Sequence, residues 1–190
     1  MLTLCLLALA ASDAPPPGTV VDRVVAVVDK EVITYGELLC EARVAFVLRA
    51  DARAASETFS AELLRSFLEY LVDQVVIAAQ ARRVGGLDVK SDEVEREVDR
   101  FQGRFSSSDA YRAFMRRFDI SDTVLRDILR RDLKNERYID ERRRAWRATA
   151  DDAQASADPE QRAALARWVK ELRGGVELRL WSLDGELELQ

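Results

Sequence analysis

Two β-forming segments stand at opposite ends of this chain, and they restrict its possible folds more than any other feature. Near the start, Val20–Val28 reads VVDRVVAVV, and its second half is apolar on both faces of an extended strand. A strand of this kind is usually covered on both sides. Near the end, apolar and polar residues alternate on either side of Asp184-Gly185, a strong two-residue hairpin turn. Because an isolated hairpin is barely stable in water, we predict that the two chain ends pair in one small sheet.

The turn at Asp184-Gly185 also predicts a register for this hairpin. It places Leu183 opposite Glu186, Ser182 opposite Leu187, and Leu180 opposite Leu189. The leucines at 178, 180, 187 and 189 then share one apolar face, and Leu183 falls on the other, mostly polar face.

Between the two ends, apolar residues recur at the three- and four-residue spacing of amphipathic helices. Thr34 with Glu37 forms a capping-box pattern, and Ser60 and Ser121 are N-terminal caps of later helices. The helix after Ser121 has a buried apolar stripe that begins at Val124, and its pattern extends past Arg144. The predicted fold is therefore mainly α, with a small antiparallel β-sheet joining the N- and C-terminal strands.

The composition excludes several functional classes. The net charge is −5 and the pI is near 5.0, which argues against a nucleic-acid-binding protein. The chain contains no histidine, so histidine-dependent nucleophilic catalysis and imidazole-based zinc sites are excluded. With two cysteines, Cys5 and Cys40, a disulfide framework or a cysteine metal cluster is excluded as well.

The first residues have the features of an export signal. Residues 1–11 are an uncharged apolar run with Ala8-Leu9-Ala10 as a cleavage-site pattern, and the run is too short to span a bilayer. No basic residue precedes it, so an apolar N-terminus of a cytosolic protein is the alternative. Residues 12–19 form a proline-rich spacer. We therefore expect an exported protein whose mature chain has no membrane span.

The order of these segments resembles a known family. A strand, VVDRVVAVVDKEVIT, leads into a helix at Tyr35-Gly36-Glu37-Leu38; a long apolar helix and the segment VKSDEVEREV follow. A last segment, FDISDTVLRDILRRDLKNERYIDER, contains Asp119-Ile120-Ser121 and Leu125-Arg126. This arrangement resembles the chaperone module of the SurA-type periplasmic chaperone and parvulin prolyl-isomerase family. Asp29 stands where the family often has asparagine.

The resemblance implies a domain organisation in which one part is missing. Residues 20–147 correspond to a SurA N-terminal-like chaperone domain, and residues 158–190 to a C-terminal helix and β-hairpin that pack back on it. Family members commonly carry parvulin domains between these parts, whereas residues 148–157 are only a short linker. A parvulin domain needs on the order of a hundred residues, so isomerase activity is not expected.

The main candidate for a binding site is a concentration of aromatic residues. Five of the fourteen aromatic residues of the chain fall within residues 101–118. Aromatic and methionine side chains suit the binding of many apolar segments, although a packed helical core is the alternative. Two further aromatic residues stand near the linker. The predicted substrate-binding residues are Phe101, Phe105, Tyr111, Phe114, Met115, Phe118, Tyr138 and Trp146.

Other motifs favour no further chemistry. The run Arg142-Arg143-Arg144 is typical of a solvated helix end, with binding of acidic segments or lipid headgroups as the alternative. The paired glycines 85-86 and 174-175 end helices and lack the context of a phosphate-binding loop. We therefore expect no cofactor, no metal and no catalytic residue.

The sequence thus predicts an exported, ATP-independent chaperone, or holdase, that binds apolar, aromatic-rich segments of unfolded outer-membrane proteins. Its expected partners are unfolded or extended polypeptides and no nucleic acid, and a homodimer is a further alternative. An envelope assembly protein with one fixed partner is the alternative, and a prolyl isomerase is a more remote one.

Overall fold

The computed structural model describes residues 22–49, 52–149, 158–183 and 187–188. The predicted export signal and spacer at 1–19, Cys5, and most of the predicted linker at 148–157 lie outside these residues. The described chain forms six α-helices and one antiparallel sheet. The predicted fold class, mainly α with a small sheet that joins the chain ends, is confirmed.

The sheet has four strands in the order β2-β1-β3-β4. Strands β1 (Val24–Val28) and β2 (Glu31–Thr34) form a hairpin, and β3 (Leu178–Trp181) pairs with the other side of β1. The short strand β4 (Leu187–Glu188) completes the sheet beside β3. Val25, Ala26 and Val28 are buried, as expected for a strand that is covered on both faces.

The predicted register of the C-terminal hairpin is wrong by one residue. Leu180 lies opposite Glu188, and Trp181 lies opposite Leu187. Leu183, which the predicted register placed on the polar face, is buried in the same core as Leu180. Successive residues of a strand alternate between faces, so these two leucines can share a core only if the strand ends between them. Strand β3 ends at Trp181, between these two leucines.

The helices begin and end close to their sequence signals. The Ser60 and Ser107 side chains accept hydrogen bonds from the main-chain N–H groups of Leu63 and Ala110, at 3.2 and 3.1 Å. Gly85, which follows the second helix, has a φ of +73°, a conformation that favours glycine. The six helices are α1 (Tyr35–Arg49), α2 (Ala61–Val84), α3 (Ser91–Gln102), α4 (Ser108–Arg117), α5 (Asp122–Thr149) and α6 (Asp158–Gly174).

Three apolar clusters form the interior. The first lies between the sheet, α1 and α2, and includes Val25, Leu38 and Leu71. The second lies between α1, α3, α4 and α5 and is centred on Phe101. The third joins the end of α2 to α5 and α6 through Ile77, Tyr138 and Trp168. Helix α1 contributes to the first two clusters and therefore connects the sheet to the helical part of the molecule.

Helix α6 is fastened to α2 by charge as well as by apolar contact. The Arg173 guanidinium of α6 donates to Glu69 of α2 at 2.6 Å and lies 3.5 Å from Asp73, one turn further along α2. These ion pairs and the third cluster hold α6 against α2. The chain that leaves α6 can then form β3 beside β1.

Candidate functional site

The aromatic residues of α3 and α4 form a tight cluster around Phe101. The Phe101 ring centroid lies 5.6 Å from Phe105, 6.2 Å from Tyr111 and 6.4 Å from Phe114. The Phe114 and Phe118 centroids are 4.9 Å apart in an edge-to-face arrangement. Such pairs are stabilising beyond the apolar area they bury. The sequence concentration at 101–118 is therefore one packed unit.

Most of this aromatic cluster is interior. Phe101 is fully buried, and Tyr111, Phe114 and Met115 are also buried. Phe105 and Phe118 are half-buried at its margin. The cluster therefore serves chiefly as the core of the helical part. Phe105 and Phe118 are the members whose rings retain exposed surface, and their role in binding stays a prediction.

Phe118 is covered on one face by an arginine. The Arg43 guanidinium lies 3.7 Å from the Phe118 ring centroid and 4.9 Å from that of Phe59. The same guanidinium donates to the Ala55 carbonyl oxygen at 2.5 Å. Arg43 thus links α1, the segment before α2 and the end of α4, and it covers part of the Phe118 ring.

Tyr138 and Trp146, the other two predicted contacts, lie in a different place. Both rings pack against Trp168 of α6, with centroid distances of 5.5 and 6.1 Å. Tyr138 is buried and Trp146 is half-buried. The predicted residues therefore divide into two groups, one in each of two separate apolar clusters. Arg142, from the predicted basic run, lies 5.4 Å from the Trp168 ring centroid. It therefore lies with Tyr138 and Trp146 beside Trp168.

A groove lies on another side of the molecule, between β2, α1, α2 and the start of α5. Its volume is about 360 Å³. Two of its wall residues, Val32 and Val124, are large apolar side chains with 51% and 42% of their surface exposed. Val124 was expected in the buried stripe of α5, and this expectation is wrong. It lies in the first turn of α5, where the groove leaves it uncovered.

A partly buried ion pair joins α1 and α5 at the groove. The Arg131 guanidinium donates to both carboxylate oxygens of Glu41, at 2.5 and 2.8 Å, and also to Asp132 at 2.8 Å. Burial alone would lower the pKa of Arg131, but the hydrogen bonds and charge of Glu41 outweigh it and hold that pKa above its ordinary value. Arg131 therefore stays charged, and the two helices are joined at the groove wall.

Cys40 also lines this groove. It is a free thiol of intermediate exposure. Burial raises its pKa to about 11, and the nearby charges of Glu41 and Glu37 act in the same direction. The thiol is therefore protonated at neutral pH and is a poor nucleophile, so it supplies the groove with apolar surface.

The segment that carries the sequence resemblance fixes one end of the groove. Asp22 accepts a hydrogen bond from the Gly36 N–H at 3.0 Å, and a Cβ at Gly36 would lie 2.8 Å from an Asp22 oxygen. The Arg23 guanidinium lies 4.1 Å from the Tyr35 ring centroid. The residues before β1 are thereby joined to the start of α1, where β2 ends.

Electrostatics at Asp22 agree with this anchoring role. Its slight burial would raise its pKa, but hydrogen bonds from Thr34, Gly36 and Arg23 outweigh that effect and lower the pKa. The carboxylate therefore remains charged and able to accept these bonds well below neutral pH.

Sequence reasoning missed the groove. Its walls come from four elements, and Glu41 and Arg131 are 90 residues apart. The one local signal was the capping box, in which Glu37 accepts from the Thr34 N–H at 2.8 Å. This motif marks the start of α1 and so predicts a short extended segment directly before it. That segment is strand β2, at the rim of the groove.

Neither metal nor membrane signals accompany the groove. Within the residues described, no group of three cysteine, aspartate or glutamate side chains is arranged to hold a metal ion. A search of the same residues found no helix with the length and apolar character needed to cross a bilayer.

Comparison with known proteins identifies the family. The search among curated proteins found no match. The family described as the SurA-like N-terminal domain matches residues 3–139, which is well over half of the chain. This range includes the hairpin of β1 and β2, helices α1–α4, most of α5 and every residue that lines the groove. The chain therefore belongs to the SurA-like N-terminal domain family.

Proposed function

We propose that this protein is an ATP-independent holdase that binds unfolded or extended polypeptides. The observation that carries the proposal is the position of the groove. Its open apolar residues, Val32 and Val124, lie inside the range that matches the SurA-like N-terminal domain. A chaperone of this kind needs apolar surface that is available to a client in the folded state, and the groove supplies it.

The binding mechanism follows from the size of the groove. Burial of apolar surface contributes about 25 cal/mol for each Å². A groove of about 360 Å³ accommodates a few side chains at a time. Each contact is therefore weak, and the client is released quickly without nucleotide hydrolysis. The net charge of −5 favours solubility of the complex.

The clients we propose are unfolded outer-membrane proteins, met in the periplasm after export. Their exposed strands are rich in aromatic and aliphatic residues. The half-buried rings of Phe105 and Phe118 would add aromatic contacts at the margin of the second cluster. We further propose that residues 158–183 act with the family domain as one unit, because Trp168 packs against Tyr138.

Light scattering tests the proposal. An unfolded outer-membrane β-barrel protein is diluted from urea with and without this protein, and ATP is omitted. Suppression of aggregation at near-equal molarity supports the holdase function. If a large excess gives no suppression, the general chaperone function is refuted, and an assembly protein with a single partner takes its place. A protease-coupled assay on a proline peptide is expected to give the background rate, since no enzymatic function is proposed.

A further inference from the structure

Strand β2 lies at an edge of the sheet, directly beside the groove. It pairs with β1 on one side, and among the described residues no strand pairs with its other side. Glu31, Val32 and Ile33 of this strand line the groove. An edge strand presents unpaired main-chain groups, and these are a template for pairing with another chain.

The hydrogen-bond pattern shows which main-chain groups face outward. The Asp29 N–H donates to the Glu177 carbonyl at 2.7 Å on the β3 side of the sheet. Bonding directions alternate along a strand, so the N–H and C=O of Val27 also point toward β3. Val32 lies opposite Val27, and its N–H and C=O therefore point away from β1. Among the described residues, no strand lies on that side of β2, and no loop main-chain group or side chain bonds to Val32.

The apolar part of the groove lies next to these groups. The exposed Val32 and Val124 side chains stand at its rim, and Val75 and Ala78 of α2 contribute further apolar surface. A chain that pairs with Val32 would therefore bring alternate side chains against apolar walls. Main-chain bonds would provide affinity without sequence specificity, as is usual for strand addition.

The charged part of the groove is predominantly acidic. Four carboxylates line it, whereas Arg82 and Arg131 are its two guanidinium groups. Both guanidinium groups already have partners, because Arg82 pairs with Glu31 at 2.9 Å and Arg131 pairs with Glu41. Glu37 and Asp127 are the carboxylates in excess. Asp127 also pairs with Arg130, but this pair is exposed and weak.

We propose that the outer edge of β2 binds an extended polypeptide segment by strand addition, and that the preferred segment alternates apolar residues with lysine or arginine. This inference rests on the proposed holdase function and specifies how and where the client binds. The outward N–H and C=O of Val32 pair with the main chain of the client. Apolar client residues contact Val32 and Val124, and the basic residues between them gain from the negative charge of Glu37 and Asp127.

Charge favours such a client over a second copy of this chain. Two copies that paired through β2 would bring together two acidic grooves, each with Glu31 on the strand itself. Like charges placed opposite each other destabilise strand pairs. A basic client segment is instead attracted by the negative charge of the groove.

The test uses a labelled ten-residue peptide of alternating valine and lysine, with its affinity for the full chain measured by fluorescence anisotropy. A peptide of alternating valine and glutamate is the charge control and is expected to bind about tenfold more weakly or worse. Two further peptides carry N-methyl groups on all valines or on all lysines. Because only alternate N–H groups face the edge of a sheet, one methylation pattern is expected to abolish binding and the other to preserve it.

A pair of variants tests the same contact from the protein side. Val32→Pro and Val32→Ala both remove the valine side chain, but only proline also removes the outward N–H. Proline is tolerated on an edge strand where its N–H would face solvent. Peptide binding is expected to weaken about tenfold more in Val32→Pro than in Val32→Ala. Equal affinities, or equal effects of the two methylation patterns, would overturn strand addition; the peptide result does not depend on the folding of the proline variant.

Failure of the inference can be distinguished from failure of the proposed function. Suppose that the wild-type chain suppresses aggregation of the unfolded barrel protein but binds the two N-methylated peptides with equal affinity. The holdase function then stands and strand addition fails. If the wild-type chain does not suppress aggregation, the holdase function itself fails. If sedimentation velocity detects a dimer that Val32→Pro dissociates, the edge belongs to a second copy and the inference is overturned.

Discussion

The aromatic cluster and the β2 groove differ in how their apolar side chains are used. Around Phe101, aromatic rings contact one another at centroid distances of 4.9–6.4 Å, and most of their surface is buried. In the groove, two valines keep about half of their surface exposed, among carboxylates and guanidinium groups. The residues that dominate the sequence pattern stabilise the fold, and less conspicuous residues form the accessible surface.

The difference has a physical basis. Large rings gain most when they bury their full area, and five of them close together can satisfy that requirement with one another. Isolated valines on a strand edge and in a first helical turn have no such neighbours. A concentration of aromatic residues therefore predicts a core better than it predicts a binding surface.

Phe101→Ala should have the largest effect on stability. Truncation of a buried phenylalanine leaves a cavity and costs about 3–5 kcal/mol, and Phe101 is fully buried. Urea unfolding measures this change. Phe105→Ala, at the half-buried margin of the same cluster, is the matched control and should cost clearly less. Equal costs would contradict the division of this cluster into a core and a margin.

Glu41→Ala should have the next largest effect. It leaves Arg131 largely buried without its main partner, and breaking a buried ion pair costs about 3–5 kcal/mol. We expect about 2–4 kcal/mol, since both side chains retain some exposure.

The control for Glu41→Ala is Glu31→Ala, which removes a groove carboxylate from an exposed pair with Arg82. Its cost in urea unfolding should be below about 1 kcal/mol. If the two variants are equally stable, the ion pair between α1 and α5 does not stabilise the groove wall.

Val32→Thr combined with Val124→Thr should separate stability from function. Exposed substitutions change stability by about 0.5 kcal/mol or less, whereas loss of the apolar rim should raise the concentration needed to suppress aggregation about tenfold. Val84→Thr is the matched control, because Val84 is 57% exposed at the end of α2 and does not line the groove. If Val84→Thr impairs suppression equally, general surface hydrophobicity and not the groove binds the client.

Cys40 provides a smaller effect that depends on pH. Its pKa of about 11, raised by burial, means that the folded state resists ionisation above pH 9, where the unfolded thiol ionises. Since the folded-state pKa is the higher one, stability should decrease as pH rises from about 9 to about 11.

The Cys5→Ser variant isolates the alkylation of Cys40 by iodoacetamide. The rate should be low at pH 8 and rise toward pH 11, and bound client should reduce it further. The same variant unfolded in urea is the control, with a midpoint near the ordinary thiol pKa of about 9. A folded-state midpoint near that value would show that Cys40 is not shielded in the groove wall.

The sequence was sufficient for the parts of the fold that local rules determine. Thr34 with Glu37, Ser60 and Ser121 mark helix starts through hydrogen bonds that span three residues. The pairing of the two chain ends was predictable because the N-terminal strand and the C-terminal hairpin each require another strand for stability, and the sequence shows no other β segment of this strength. The family resemblance rested on the order and spacing of several segments, and two residues of the first segment, Asp22 and Arg23, contact the start of α1.

The remaining features depend on contacts between distant residues. The hairpin register was wrong because Leu183 turns into the core with Leu180, a gain that the turn sequence does not encode. Val124 follows the apolar period of α5 and yet lies open, because none of the described elements covers the first turn of that helix. The Glu41–Arg131 pair joins residues 90 positions apart, so no spacing rule could reveal the groove.

The most direct test of where clients bind is hydrogen–deuterium exchange of this protein with and without an unfolded outer-membrane barrel protein. We predict that exchange slows most in β2 and in the first turns of α5, beside Val32 and Val124, and that any slowing in the segment 101–118 is smaller and limited to its margin at Phe105 and Phe118. Protection confined to 101–118, with none in β2, would contradict this account and would place the client on the exposed margin of the aromatic cluster.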